Sequence, residues 1–253
     1  KLGSVASDVL GVSGRDMLTH LANGADDPEQ LADLARGRLK DKHEQLVEAL
    51  TGYVQSHQRY MLRQELDHIA YLDRRIAELD AEIERRMSDV KQVLERLDTL
   101  TGVGQRTAQE IVAEVGADVS HFPSHDHLAS WSGLTPGQNE SAGKRKPART
   151  RPGNKHLRAT MIEAARAAAR SKGTYLGAQH ERLRRHMKGN KSLVALAHAM
   201  IIIVYHMLKD GTEYHERGPN YYIDRDRKAI ELAAVRRLNS LGYSVTLNPI
   251  SAA

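Results

Sequence analysis

Residues 57–99 read HQRYMLRQELDHIAYLDRRIAELDAEIERRMSDVKQVLERLDT, with no glycine or proline in 43 positions. Apolar residues recur at Leu62, Leu66, Ile69, Leu72, Ile76, Leu79, Ile83, Met87, Val90, Leu94 and Leu97. The steps are mostly three and four, which is the seam of a coiled-coil helix with slight irregularities. One continuous helix would extend on the order of 60 Å at about 1.5 Å per residue. A helix of that length needs cover along its seam. A second copy of the chain would supply it as a dimer or tetramer, or a preceding helix of the same chain as a hairpin.

The segments on either side are also helical. Upstream, Ser13 is expected to cap a short helix through Met17 and Leu21, stopped by Asn23-Gly24, and Asp27-Pro28 reads as a cap followed by proline in the first turn. Downstream, Leu100-Thr101-Gly102-Val103-Gly104 separates the long helix from another apolar-periodic stretch through Val115. Glycines in a turn between two helices form a helix-hairpin-helix signature, in which Gly102 and Gly104 let a phosphate approach the next helix N-terminus. The alternative is a tight helix–helix corner without a ligand. Asn154 is expected to cap a helix over 155–171, and Asn190 a second helix through Leu208. That second helix is apolar nearly all round, so it should be the centre of its domain. Residues 242–247 read as a small strand or an extended tail. The expected fold class is mainly α: a helical linker region (1–56), a coiled-coil helix (57–99) and a compact helical domain (100–253).

Composition narrows the chemistry. The 253 residues contain no cysteine. This excludes disulfides, thiolate metal sites and a cysteine nucleophile. The longest apolar run, 193–208, is interrupted by His198 and His206 and falls short of a bilayer span. A cytoplasmic protein without a membrane partner is expected. The chain opens on Lys1 with no signal peptide, which reads as a fragment of a longer protein. His121, His125 and His127 do not have the one-face spacing of a helical metal pair, so no metal site is assigned there.

Charge is unevenly placed. The net charge is +5, but residues 141–191 hold 15 basic and 2 acidic residues, net +13. A block of that sign attracts polyanions, foremost the phosphate backbones of nucleic acids. The alternative is a solvated basic face. The block opens in a glycine- and proline-punctuated loop, Pro136 to Pro147, with Ser141 five residues or fewer from Lys144, Arg145 and Lys146. Arg149, Arg151, Lys155 and Arg158 follow, and Arg166 and Arg170 continue the Arg158 row at multiples of four along the next helix. Cations around a phosphate stabilise the charge added by an attacking alcohol, but no base adjoins Ser141 and no Gly-x-Ser-x-Gly elbow surrounds it.

These pieces, in order, resemble a known family. Gly11-Val12-Ser13-Gly14-Arg15, Leu31-Ala32 to Leu39, Leu100 to Gly104 with Thr107-Ala108, Gly133-Leu134-Thr135-Pro136, Ser141, Gly153-Asn154 with Leu157-Arg158, and Leu241-Gly242-Tyr243 are similar to the DEDD-type insertion-sequence transposases of the one-ten group, also described as bridge-RNA-guided recombinases. The resemblance implies a RuvC-like domain, a coiled coil and a C-terminal transposase domain, with DNA and a structured guide RNA as partners. It implies that Ser141 is the catalytic serine that attacks DNA and becomes covalently linked to it. Ala142 stands between Ser141 and Gly143, where the family usually has Ser-Gly. The Mg2+-binding carboxylates of the RuvC-like half have no counterpart in these residues, so this chain needs no cofactor of its own. Alone it is expected to bind nucleic acid without recombining it. The rival reading is a non-catalytic helix-hairpin-helix module for nucleic-acid binding and oligomerisation.

Overall fold

The computed structural model describes residues 1–137, 140–145, 149–187 and 189–247, with Arg145 described through its backbone only. The described residues are mainly helical and fall into two compact units, Lys1–Arg86 and Met87–Ala253.

In the first unit, short helices α1 (Leu2–Val5), α2 (Val12–Ala22), α3 (Pro28–Ala32) and α4 (His43–Leu50) precede α5 (Ser56–Arg86). Leu2, Ala6, Met17, Ala32, Ala35 and Leu46 form a small core. Asp27 caps α3 as expected, accepting from the Glu29 N–H at 3.0 Å with Pro28 in the first turn. Ser13 does not cap α2. Gly11 holds that position, and the Ser13 hydroxyl accepts the Arg36 N–H at 2.9 Å. Gly14 has a separate reason: a Cβ there would stand 2.1 Å from the Val9 carbonyl oxygen. The family-like Gly-Val-Ser-Gly-Arg run is thus a tight entry into α2, completed by Arg15 Nε donating to the Leu10 carbonyl at 2.6 Å.

The single helix expected over 57–99 is two helices. The α5 helix ends at Arg86, Met87 leaves helical geometry, and Ser88–Val90 forms a 3-10 turn before α6 (Lys91–Asp98). Ser88 and Asp89 are poor helix formers whose side chains compete with the backbone. The restart also lets Leu94 and Leu97 enter the core of the second unit. Only the residues before Met87 keep the coiled-coil pattern on a continuous helix, about 46 Å long for 31 residues. The N-terminal half of α5 packs on α2, which leaves Leu62, Leu66 and Ile69 half-buried. Arg59 and Arg63 donate to carbonyls at the α2 C-terminus, and Arg15 pairs with Asp73 at 2.6 Å. Further along, Leu72, Ile76 and Leu79 are exposed.

The second unit continues with α7 (Gln105–Val115), α8 (His125–Trp131), a two-stranded hairpin, α9 (Lys155–Arg170), α10 (Tyr175–Arg184), α11 (Asn190–Asp210), α12 (Tyr221–Arg225) and α13 (Arg227–Ser240). At its centre is α11, packed against α6, α8, α9 and α10. Leu196, Ala197, Met200, Ile201 and Val204 are fully enclosed. By length and composition this 21-residue helix could cross a membrane, and eight of its residues are buried within its own unit. Asn190 does not cap it. Gly189, in a backbone conformation favoured by glycine (φ 61°), takes the boundary and places Asn190 inside the first turn. Residues 241–247 form neither helix nor strand.

Candidate nucleic-acid interface

The expected loop around Ser141 is a β-hairpin. Strand β1 (Glu140–Ser141) pairs antiparallel with β2 (Lys144–Arg145), with Ser141 opposite Lys144 and Glu140 opposite Arg145. Ala142 and Gly143 make the two-residue turn with φ values of 51° and 72°. Positive φ at both positions is the geometry that matches the twist of a hairpin. Ala142 is the only non-glycine residue with positive φ among the described residues. An L-residue held there is disfavoured by about 1–2 kcal/mol. The alanine that departs from the family pattern is therefore a turn residue, and it puts Ser141 at the last strand position before the tip. Ser141 and Lys144 are both exposed.

Nearer the helical body, residues 135–137 pair with residues 149–151. Gly137 N–H donates to the Arg149 carbonyl at 2.9 Å, Pro136 bridges Thr150, and Arg151 N–H donates to the Thr135 carbonyl at 3.3 Å. At the base the two strands cross at a pair of glycines. A Cβ on Gly153 would lie 2.3 Å from the Gly133 nitrogen and 2.5 Å from the Trp131 carbonyl oxygen. Side chains then lock the crossing. Arg158 Nη1 donates to the Gly133 carbonyl at 2.7 Å and to the Thr150 hydroxyl at 2.6 Å. Asn154 caps α9 by accepting the Leu157 N–H at 3.0 Å, and its amide donates to Glu114 of α7 at 2.6 Å. Its backbone N–H reaches the Trp131 carbonyl at 2.9 Å. Three helices thus hold the hairpin base while its tip stands in solvent.

This geometry sorts the basic residues read from the sequence. Lys144, Arg149, Arg151, Lys155 and Arg170 are exposed along the hairpin and its helix. Lys146 lies outside the described residues, as does the Arg145 side chain. Arg158 is turned inward as a clamp, so the expected row with Arg166 and Arg170 does not run unbroken. Arg166 is half-exposed and pairs with Glu163 at 2.5 Å.

The turn between α6 and α7 also departs from expectation. Gly102, with φ 89°, faces α9: a Cβ would meet the Ala164 carbonyl oxygen at 2.4 Å and the Ala168 nitrogen at 2.7 Å. Its missing side chain admits a neighbouring helix backbone, not a phosphate. Gly104 is free of such crowding and stands at the N-cap of α7, where it offers no side-chain cap. Among the described residues no group of three or more His, Asp or Glu side chains is placed to hold a metal ion.

Sequence reasoning missed the clamp of Asn154, Glu114, Thr150 and inward Arg158. Its signal was the pair Gly133 and Gly153 bracketing the proline-, glycine- and lysine-rich stretch, as the two ends of a closed excursion would.

Comparison with known proteins places this assembly. Residues 94–181 match the model of the transposase IS116/IS110/IS902 family, a span that runs from α6 through most of α10 and includes the whole hairpin. Over this segment the chain is similar to the IS116/IS110/IS902 transposases. It is 36% identical over 130 residues to the insertion element IS110 uncharacterized 43.6 kDa protein of Streptomyces coelicolor, covering 49% of this chain and 30% of that protein. It is 28% identical over 178 residues to the pilin gene-inverting protein of Moraxella bovis, covering 67% of this chain and 52% of that protein. The Moraxella lacunata pilin gene-inverting protein matches at 28% over 178 residues. The chain therefore spans between about a third and about half the length of these relatives.

Proposed function

We propose that this chain is a member of the family and the DNA-joining part of an insertion-sequence transposase, with Ser141 as its nucleophile. The observation that carries the reading is the presentation of Ser141. It is an exposed hydroxyl at the tip of a hairpin whose base is clamped by α7, α8 and α9 and whose strands open a segment of net charge +13. Attack by Ser141 Oγ on a DNA phosphodiester forms a serine–phosphate bond. It breaks one phosphorus–oxygen bond to the sugar, and the leaving oxygen takes up a proton. Lys144 lies across the ladder from Ser141, where its ammonium would balance charge on the phosphorane, and Arg149, Arg151 and Lys155 would hold flanking phosphates. Gly104, with no side chain and no crowding, would let a phosphate approach the N-terminal end of α7.

DNA and a structured guide RNA are the proposed partners, with sequence choice delegated to the RNA. Copies of the chain would associate through the exposed seam of α5, in pairs or tetramers. The Mg2+ expected with a RuvC-like domain would be held by carboxylates of that domain, and no residue of this chain is assigned to it. Recombination would need that domain beside this one.

The test is trapping of a covalent protein–DNA adduct on a denaturing gel. It uses full-length protein with element-end DNA, RNA and divalent metal. An adduct is expected with Ser141 and absent with Ser141→Ala, while DNA binding persists. An adduct that survives Ser141→Ala would refute the assignment. Binding without any adduct would leave a non-catalytic binding module as the better description.

A further inference from the structure

Away from the hairpin, the second unit carries a cluster of arginines and tyrosines that the proposed reaction does not use. Tyr222 of α12 stacks on Tyr175 of α10, with ring centroids 5.4 Å apart and planes 17° apart, and its hydroxyl donates to the Tyr175 hydroxyl at 3.0 Å. Two guanidinium groups lie against the same Tyr222 ring, Arg182 at 4.8 Å and Arg225 at 5.1 Å. Tyr175 is fixed in turn, since its backbone N–H donates to Glu216 at 2.6 Å. The Tyr222 ring is thus covered by Tyr175 and by two guanidinium groups.

Beside this stack lies a cleft of about 360 Å³. Small-ligand clefts run from roughly 300 to 1,000 Å³. Ala178, Pro219, Ile223 and Ile230 give it apolar walls, and Arg182, Arg185 and His186 line one side. Two carboxylates also border it, but each is already engaged. Glu181 accepts from Arg184 at 2.9 Å, and Asp226 is bound by Arg225 at 2.8 and 2.9 Å. That pairing holds the Asp226 carboxyl below the usual carboxylate range. Arg185 and His186 make no side-chain hydrogen bond or ion pair among the described residues.

An occupant of this cleft should be flat and apolar on its faces and should carry an anionic group at its edge. A duplex offers phosphates but keeps its base faces stacked inside. An unpaired nucleotide offers both, and stacking on tyrosine and arginine planes is how single strands are held without reading their sequence. The charge of the surroundings agrees: the α10 wall belongs to the same net +13 segment as the hairpin. We infer that the cleft between α10 and α12–α13 holds an unpaired base of a single-stranded nucleic acid, with the Arg182 guanidinium, backed by the Tyr222 ring, as its stacking wall and Arg185 on the adjoining phosphate. The inference rests on the nucleic-acid reading above and adds a second, non-reacting contact to it.

The test measures binding of a short oligothymidylate, the matching oligouridylate and a blunt DNA duplex to the chain carrying Tyr222→Leu, Tyr222→Phe or Ile230→Glu. Loss of the ring that backs Arg182 should weaken single-strand binding by about tenfold. Tyr222→Phe keeps the ring and should bind as wild type. Ile230→Glu places an anion on an exposed cleft wall and should lower single-strand affinity without disturbing the fold. Duplex affinity should be unchanged in all three. A greater loss on the DNA strand or on the RNA strand would tell which of the two the cleft takes. Single-strand affinity that is indifferent to both Tyr222→Leu and Ile230→Glu, or a loss equal on strand and duplex, would overturn the inference while leaving the Ser141 assignment standing. A wild-type chain that binds neither strand nor duplex would overturn both.

Discussion

The two longest helices of the chain treat their apolar residues in opposite ways. In α11 the apolar residues lie nearly all round the helix, and eight of its 21 residues are buried by neighbours from the same unit. In α5 they lie in one narrow seam, and none of its 31 residues is buried. Leu72, Ile76 and Leu79 remain 45%, 54% and 57% exposed. A helix apolar on every side can be stable in water only at the centre of a core, so its cover must come from the chain that carries it. A seam of period 3.5 is satisfied by one matching helix, which a second copy can supply. The difference separates an element that builds a domain from one whose seam stays exposed on its own unit.

The comparison breaks first at the core of α11. Met200 is fully enclosed, and Met200→Ala should lower the stability of the second unit by about 2–5 kcal/mol, through lost transfer free energy and the cavity left behind. Denaturant unfolding would measure it. A loss below about 1 kcal/mol would mean that α11 is not the centre on which this unit is built.

These two helices also mark how far the sequence could be read. The burial of α11 was legible because its composition leaves no polar face. The start of α5 and its seam were legible from spacing. Its end was not, because Met87, Val90, Leu94 and Leu97 continue the same three-and-four pattern across the break. Period alone cannot tell a seam awaiting a partner from a face already packed in a core. The hairpin shows the same limit at the candidate site. The cations beside Ser141 were evident from composition, and Ser141 itself was singled out only by the family resemblance. Arg158 looked like one more cation in a row, and only the crossing of Gly133 and Gly153 explains why its guanidinium turns inward. The position of Gly102 misled for a related reason. Absence of a side chain marks a close approach, and what approaches, phosphate or the backbone of α9, is settled by the distant helix at Ala164 and Ala168.

A second experiment sharpens the contrast from the α5 side. Ile76→Gln with Leu79→Gln replaces two exposed residues by good helix formers. Each change should alter the stability of the isolated chain by about 0.5 kcal/mol or less. If copies associate through the seam, sedimentation should show the assembly falling to monomers at concentrations where wild type is associated. An assembly of unchanged mass would remove α5 from the interface. A wild-type chain that stays monomeric would require another partner for the seam.

The smallest effect expected lies where α11 meets α8. His198 is half-buried there, facing Asp126 and His125, with the His125 ring 5.4 Å from His206 and His206 itself 3.6 Å from Asp210. Burial, more than any neighbouring charge, pushes the His198 imidazole below its ordinary value. Asp126 opposes that shift and His125 adds to it. A histidine held neutral in the fold but free to take up a proton when unfolded makes the unfolded state bind more protons as pH falls. Stability therefore declines as pH drops through the ordinary histidine value near 6.5 and is fully restored above it. His198→Gln keeps a polar side chain of similar size and removes the titration, so the melting temperature should depend less steeply on pH between about 7.5 and 5.5. An unchanged slope would mean that His198 is not the source of the acid sensitivity. It would also mean that the polar residues of α11, unlike its apolar ones, are not held by the packing that defines it.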